Sequence, residues 1–344
     1  MLLHAPGARA AEPLKVGFVY VTPVGQAGWT FQHDLARQAM ERALGARVQS
    51  RVVEAVPEGA DAERVMRDLA AQGTGLVFAT SFGYLEPGLR VAADFPGVKF
   101  EHAGGYKTAP NFNTYNARLY EGRWLAGWLA GKASASGIAG YVAGFPVPEV
   151  IQGINAFAQG LRAANPKGVV RVLWLGSWFD PPKEREAALS LVAGGADVLT
   201  YHSASPAVAQ AAEEKGVKLL AYHSDMGRFA PTVQLAAVTA DWSGYYTRVA
   251  RSVLDGTWKV RPVWGGLKDG MVRVAALSPA LPADVRRGLA QREKQLVAGQ
   301  AGPFTGRLVD QAGRVRQERG TLADADLARM DWFVQGVEGS LPKQ

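Results

Sequence analysis

KVGFVYVTPVGQAGWTFQHDLARQAMERAL, residues 15–44, opens on an apolar run and closes on a helical pattern. The run Lys15–Val21 reads as a strand buried on both faces, since its residues are apolar without alternation. From about Phe31 the apolar positions recur at helical spacing. Between the two lies a glycine-rich turn that carries a bare indole, Trp29, after Gly25 and Gly28. An indole in a strand-to-helix loop gives up hydrophobic stabilisation unless another part of the protein or a ligand covers it.

The same alternation continues outward. Short apolar runs fall at 48–53, 75–80, 98–103, 138–143, 169–175, 197–201, 217–222 and 234–239. Helical stretches fill the gaps at 60–72, 86–94, 118–133, 147–164, 183–193, 206–215 and 243–255. Strands alternating with helices imply parallel sheets covered on both faces. Two doubly wound sheets suit the length of 344 residues better than a single nine-stranded one. The breaks fall near 115–125 and near 240. After about 276 the pattern weakens: 282–299 reads as an exposed helix, 303–320 as loop or hairpin, and MDWFVQG (330–336) as an aromatic element that docks on a lobe.

Composition narrows the function. Apolar residues make up 48% and charged residues 20%, an ordinary globular balance. The net charge of +7 is scattered, with no basic run and no nucleic-acid-binding signature, so a nucleic acid partner is not expected. No apolar stretch is long enough to span a bilayer. Cysteine is absent, which excludes disulfides, thiolate metal sites and a cysteine nucleophile. The stretch MLLHAPGARAA (1–11) has the small-residue look of a clipped export signal. Phosphate-loop, dinucleotide-loop and nucleophile-elbow motifs are absent, which leans toward binding without chemistry. No cofactor or metal is expected, because the histidines lack ligand spacing.

In open α/β sheets, ligands sit beyond the carboxyl ends of the strands. The residues that follow each strand are therefore the candidates. They include Trp29, Phe82, Tyr84, Glu101, His102, Tyr106, Phe145, Trp178, His202, His223, Asp225 and Trp242. Flat rings suit a flat apolar ligand, with a few polar groups to orient it. Each has a plainer reading: an aromatic at a strand end often only lids a core, and Asp180, before Pro181-Pro182, reads better as a helix N-cap.

Several segments, in this order and spacing, resemble the basic membrane protein family of ABC-transporter substrate-binding proteins. They are GQAGWTFQHD, YNARLYEGRWLAGWLAGKAS, GYVAGFPVPEVIQGINAFAQGLRAANP, LGSWFDPPKEREAALSLVAGGADV, HSDMGRFAP, VARSVLDGTW and WGGLKDGMV. The resemblance runs from about Lys15 to Gly270, and GPFTGRLVDQAG and MDWFVQGVEG extend it. It implies an α/β protein of the type I periplasmic-binding-protein fold, with two Rossmann-like lobes, a hinge and ligand in the cleft between them. The expected lobes are 13–118 with about 241–260, and 119–240 with about 261–280. Residues 281–344 form an extension, and 1–12 are a remnant of the export signal. The partners implied are a small purine and a membrane permease, and the location is the periplasm.

Where family members carry an Asp-x-x-Phe-Asn pattern, this chain has Gln26-Ala27-Gly28-Trp29-Thr30; the aromatic of a Gly-Ser-Phe motif is Trp178. The purine-stacking rings are thus indoles. The family's Asp-Ser-Asp is His223-Ser224-Asp225, and a lysine that would hold ribose is Ala240 or Asp241. The expectation is a free nucleobase between Trp29 and Trp178, with Glu101, His102 or Asp225 reading its edge and His202 also among the ligand-binding residues. Phe82, Tyr84, Phe145, Trp242 and Lys268 complete the expected pocket. A nucleoside receptor holding ribose through Lys268, Asn116 or Glu101 is the alternative. A sensor or a nucleoside-processing enzyme on the same scaffold is more remote.

Overall fold

A computed structural model describes residues 12–342. Residues 1–11, read above as part of an export signal, lie outside the described residues. In chain order the elements begin β1 (Leu14–Val19), α1 (Trp29–Leu44), β2 (Val48–Val53), α2 (Ala60–Ala71), β3 (Leu76–Ala79), α3 (Leu85–Asp94), β4 (Lys99–Ala103) and β5 (Phe112–Ala117). They continue α4 (Leu119–Ala133), β6 (Ile138–Ala143), α5 (Pro148–Ala164), β7 (Val169–Trp174), α6 (Pro181–Ala193), β8 (Val198–His202), α7 (Ala207–Lys215), β9 (Lys218–His223), β10 (Gln234–Ala240) and α8 (Ser243–Leu254). The chain closes with β11 (Val263–Gly265), β12 (Val272–Ala275), α9 (Ala283–Val297), β13 (Leu308–Val309), β14 (Val315–Gln317), α10 (Asp324–Leu327) and β15 (Val337–Glu338).

Two compact units result. The first comprises residues 12–21, 34–115 and 243–262. Its strands pair in parallel in the order β5-β4-β3-β1-β2. Phe18 stacks on Phe78 at 4.9 Å between ring centroids. On another face Val19, Val77 and Phe100 pack against Met66 and Leu69 of α2 and Val91 of α3. The sequence shows no strand signal at 112–117, because FNTYNA mixes polar residues into the run. Those polar groups are satisfied inside the unit: Asn113 Nδ2 donates to Glu101 Oε2 at 3.0 Å, and Asn113 Oδ1 accepts from Arg261 N–H at 2.9 Å.

The second unit comprises residues 22–33, 116–242 and 263–342. Its sheet order is β12-β10-β9-β8-β6-β7-β15. The strands from β10 to β7 are all parallel, and β12 runs antiparallel at the edge. The aromatic segment 330–336, expected to dock on a lobe, lies beside this sheet: Phe333 stacks on Trp174, and β15 pairs with β7 from Val337↔Val170. Asn155 of α5 fixes that segment, donating to the Trp332 carbonyl at 2.8 Å and accepting from Val334 N–H at 2.9 Å. Residues 281–342 therefore group with the second unit.

The short segment 22–33, expected in the first lobe, also groups with the second unit. The reason is local. Gly28 N–H donates to Ser224 Oγ at 2.8 Å, and Gln32 Nε2 donates to the same oxygen at 2.9 Å. Gly28 holds φ +98°, and a Cβ there would stand 2.4 Å from the Ala204 carbonyl oxygen. Only glycine allows that approach.

Candidate ligand-binding site

Parallel pairing brings the carboxyl ends of β6, β8 and β9 to one edge of the second sheet. His202 ends β8 and His223 ends β9, and their rings stand 5.2 Å apart, edge to face. Beyond His223 lies Trp29, also edge-on at 5.2 Å. Beyond His202 lies Trp178, tilted at 6.1 Å, with Phe145 against it at 5.0 Å. The order of rings is thus Trp29, His223, His202, Trp178. Both indoles are half-buried, while His202 and His223 are 5% and 3% exposed.

Each ring has a local reason for its place. Trp178 lies against the bare Cα of Gly144, where a Cβ would stand 2.7 Å from the indole. Its carbonyl accepts from Ala204 N–H at 2.9 Å. Trp29 begins α1 and packs edge-on against His33 at 4.3 Å and Trp242 at 5.8 Å. Trp242 and His33 stack almost flat at 5.1 Å, both fully interior, so Trp242 supports Trp29 from below. His223 adopts φ +63°, a left-handed conformation unusual for a residue with a Cβ. Such strain recurs where a side chain must be aimed.

The electrostatics favour a neutral ligand. Burial holds the His33 imidazole down to about 3. Burial, then the Arg123 charge, holds His202 well below its ordinary range; burial and its neighbours His202, Arg123 and His33 do the same for His223. All three rings are neutral near pH 7, and a neutral imidazole offers one donor and one acceptor. Beneath them Arg123 is fully buried in α4. Its guanidinium lies 3.2 Å over the Tyr222 ring, donates to Thr200 Oγ1 at 2.8 Å and donates to the Tyr201 carbonyl. Glu184 of α6 ties down the loop after β8, accepting from Ser203 Oγ at 2.8 Å and Ser205 Oγ at 2.7 Å.

Of the expected residues, Trp29, Phe145, Trp178, His202 and Trp242 come together here. Four belong to the first unit. Phe82 is half-buried, 6.3 Å from the Tyr106 ring. Tyr84 is interior and its hydroxyl donates to the Val56 carbonyl at 2.6 Å. Glu101 is interior and both its oxygens are engaged, by Tyr245 Oη at 2.6 Å, Asn113 and Trp258 Nε1 at 2.8 Å. His102 is interior and bonds the Ser81 carbonyl at 2.8 Å. Tyr84, expected to close the pocket, and Glu101, expected to read the edge of the base, spend their polar atoms inside their own unit, and His102, also expected at the edge, spends its Nε2 there. Asp225 is exposed and accepts from Gly227 N–H at 2.8 Å and Gln234 Nε2 at 2.7 Å, closing its own turn. Lys268 is exposed in the turn between β11 and β12. Arg123 and Glu149 were not singled out from sequence. A lone arginine in the otherwise apolar face of LYEGRWLAGWLAGKA was the available signal for the first.

Among the described residues no three His, Asp or Glu side chains are placed to hold a metal ion, and no helix is long and apolar enough to cross a membrane.

A two-unit α/β protein with half-buried rings at its strand ends is the architecture of a type I periplasmic binding protein, a class that captures small molecules rather than transforming them. The chain belongs to the Bmp family, described as ABC transporter substrate-binding protein PnrA-like, which it matches over residues 14–300. It is 47% identical to the purine-binding protein BAB2_0673 of Brucella abortus, over 98% of this chain and 96% of that protein. It is 35% identical to the putative ABC transporter glucose-binding protein TsgA13 of Haloferax volcanii, over 98% of this chain and 83% of that one. Among solved structures, an ABC-transporter solute-binding protein of Conexibacter woesei superposes with a TM-score of 0.68 at 24% identity, covering 84% of this chain and 97% of the other. That likeness speaks for the fold alone. As a substrate-binding component the chain serves a transporter permease and is not an enzyme.

Proposed function

We propose that this protein captures a free purine base, adenine-like or an oxopurine, at the strand-end rings of the second unit, and delivers it to its permease from the periplasmic side of the membrane. The observation that carries the reading is the run Trp29, His223, His202, Trp178, in which two imidazoles held neutral by burial lie between two indoles. Such a surface suits a flat, uncharged heterocycle with both donors and acceptors on its rim. The similarity to a purine-binding protein supports the same ligand class.

The base is favoured over the nucleoside by what the polar groups are already doing. Asp225, which survives from the family's pair of carboxylates, is turned into its own loop. Ser224 Oγ is engaged by Gly28 and Gln32. With the family's surviving carboxylate and its neighbouring serine already engaged, the groups that would hold a sugar in a nucleoside receptor have little to offer one.

Isothermal titration with adenine, hypoxanthine, guanine, xanthine, adenosine, guanosine and glucose tests this. Free bases should bind most tightly. Trp29→Ala and Trp178→Ala should each weaken binding by roughly 5- to 150-fold, the worth of about 1–3 kcal/mol per stacked ring. Tighter binding of a nucleoside or of glucose than of any base refutes the proposal.

A further inference from the structure

Below the aromatic run lies a set of polar groups whose hydrogen-bonding capacity the fold leaves unused. Glu149 is the second residue of α5, just past the end of β6. Its side chain is 17% exposed, and its Oε1 stands 3.9 Å from His202 Nε2, too far for a hydrogen bond. Among the described residues, His202 Nδ1, Arg123 Nε and the Tyr141 hydroxyl are buried without a well-formed hydrogen bond, although the Arg123 guanidinium and the Tyr141 hydroxyl lie close enough to interact with each other. Gly153 locates them together. It lies one helical turn beyond Glu149 on the same face of α5, and a Cβ there would stand 3.2 Å from Tyr141 Oη and 3.7 Å from Arg123 Nε. Buried polar groups are ordinarily paired. An acid, an imidazole, a guanidinium and a phenol thus gather under the ring-lined surface, and of these the Glu149 side chain keeps the exposure a ligand needs to reach it.

We propose that Glu149, facing His202, is the group that sets specificity, its carboxylate accepting from the exocyclic amine of adenine and, in the 7H tautomer, from the N7–H beside it. This rests on the purine-base reading above. An oxopurine presents a carbonyl where the aminopurine presents its amine, and two acceptors repel there. The protein should therefore prefer adenine to hypoxanthine.

Proton linkage gives a second readout. Burial pushes the Glu149 carboxyl up to about 7, the Arg123 charge opposing. The groups facing it are Arg123 of α4, Tyr141 of β6, His202 of β8 and Tyr222 of β9. The titratable neighbours move away from neutrality: burial pushes both tyrosines up and His202 down. If the carboxylate is the binding form, adenine affinity falls as pH drops through the carboxyl's range, by about eightfold from pH 7.5 to pH 6.

The test is titration of adenine and hypoxanthine into the wild type, Glu149→Gln and Glu149→Ala, with circular dichroism as the fold check. In the wild type adenine should bind at least about tenfold more tightly than hypoxanthine. Both variants should lose about 10- to 100-fold for adenine and little for hypoxanthine, so that the preference collapses. A preference that survives in Glu149→Gln overturns the assignment while leaving the purine reading intact, and a wild type that takes no free base overturns both. Should the variants not fold, the wild-type pH series decides, and a flat adenine affinity between pH 6 and pH 7.5 refutes the role.

Discussion

Gly28→Ala should unseat Trp29 while leaving the rest of the protein folded. At φ +98° the new Cβ stands 2.4 Å from the Ala204 carbonyl oxygen, a backbone atom that cannot swing aside as a side chain can. Ordinary contact needs roughly 3.4 Å or more, so the loop must retreat by about 1 Å. The hydrogen bond from Gly28 N–H to Ser224 Oγ, now 2.8 Å, is then stretched past bonding distance. A left-handed alanine costs about 1–2 kcal/mol, and the lost hydrogen bond about 1 kcal/mol more. Together these come to roughly 2–3 kcal/mol, which penalises the one loop that presents the indole. Expressed in binding, that is a loss of roughly 30- to 150-fold. Gly25→Ala is the control in the same loop. Its φ is +58°, but the nearest atom to a new Cβ is 4.0 Å away. It should cost about 1 kcal/mol of stability and change affinity by less than about threefold. Titration calorimetry with adenine and a calorimetric melt on all three proteins give both quantities. If folded Gly28→Ala binds adenine within about threefold of the wild type, the seat assigned to Trp29 is wrong.

Two other outcomes concern stability. Asp180 caps α6, its Oδ1 accepting from Lys183 N–H at 3.2 Å while its own N–H donates to Glu184 Oε1 at 3.1 Å. Asp180→Ala should cost about 1 kcal/mol, seen as a melting point lower by about 2–4 °C with ligand affinity unchanged. The chain should also lose stability in mild acid. Burial holds the folded His33 down to about 3 and His102 down to about 4, and His202 and His223 lie well below their ordinary range. Folded values below the unfolded value of about 6.5 mean that unfolding takes up protons once pH falls beneath it. Stability present above pH ~6.5 is therefore lost on the way toward pH ~4. Buried Glu101 and Glu149, whose carboxyls are pushed up, oppose this below neutrality, but four imidazoles outnumber two carboxyls. Urea midpoints measured from pH 7 to pH 5 should fall steadily, and a constant or rising midpoint contradicts the neutral-imidazole assignment.

The alternation of strand and helix was legible in the residues because it rests on local periodicity. Apolar runs such as Lys15–Val21 and Val169–Leu175 announce parallel strands wherever the fold later places them. Asp180 was legible as a cap for the same reason, since capping involves only the next turn of chain. Strand β5 was not, because Asn113 and Asn116 look like loop residues until Glu101 and Arg261 are brought beside Asn113.

The site divides along the same line. That aromatics and histidines gather after the strands follows from their order in the chain, so Trp29, Phe145, Trp178 and His202 could be named in advance. Which polar groups face a ligand depends on partners distant in sequence. Glu101 is consumed by Tyr245 and Trp258, more than 140 residues away. Ser224, 196 residues from Gly28, draws the Trp29 loop into the second unit. Glu149 reads in sequence as an ordinary acid in the first turn of a helix, and only packing sets it opposite His202. Periodicity is carried by neighbours along the chain, whereas the satisfaction of a buried polar atom is settled by whichever distant atom the fold brings within about 3 Å of it.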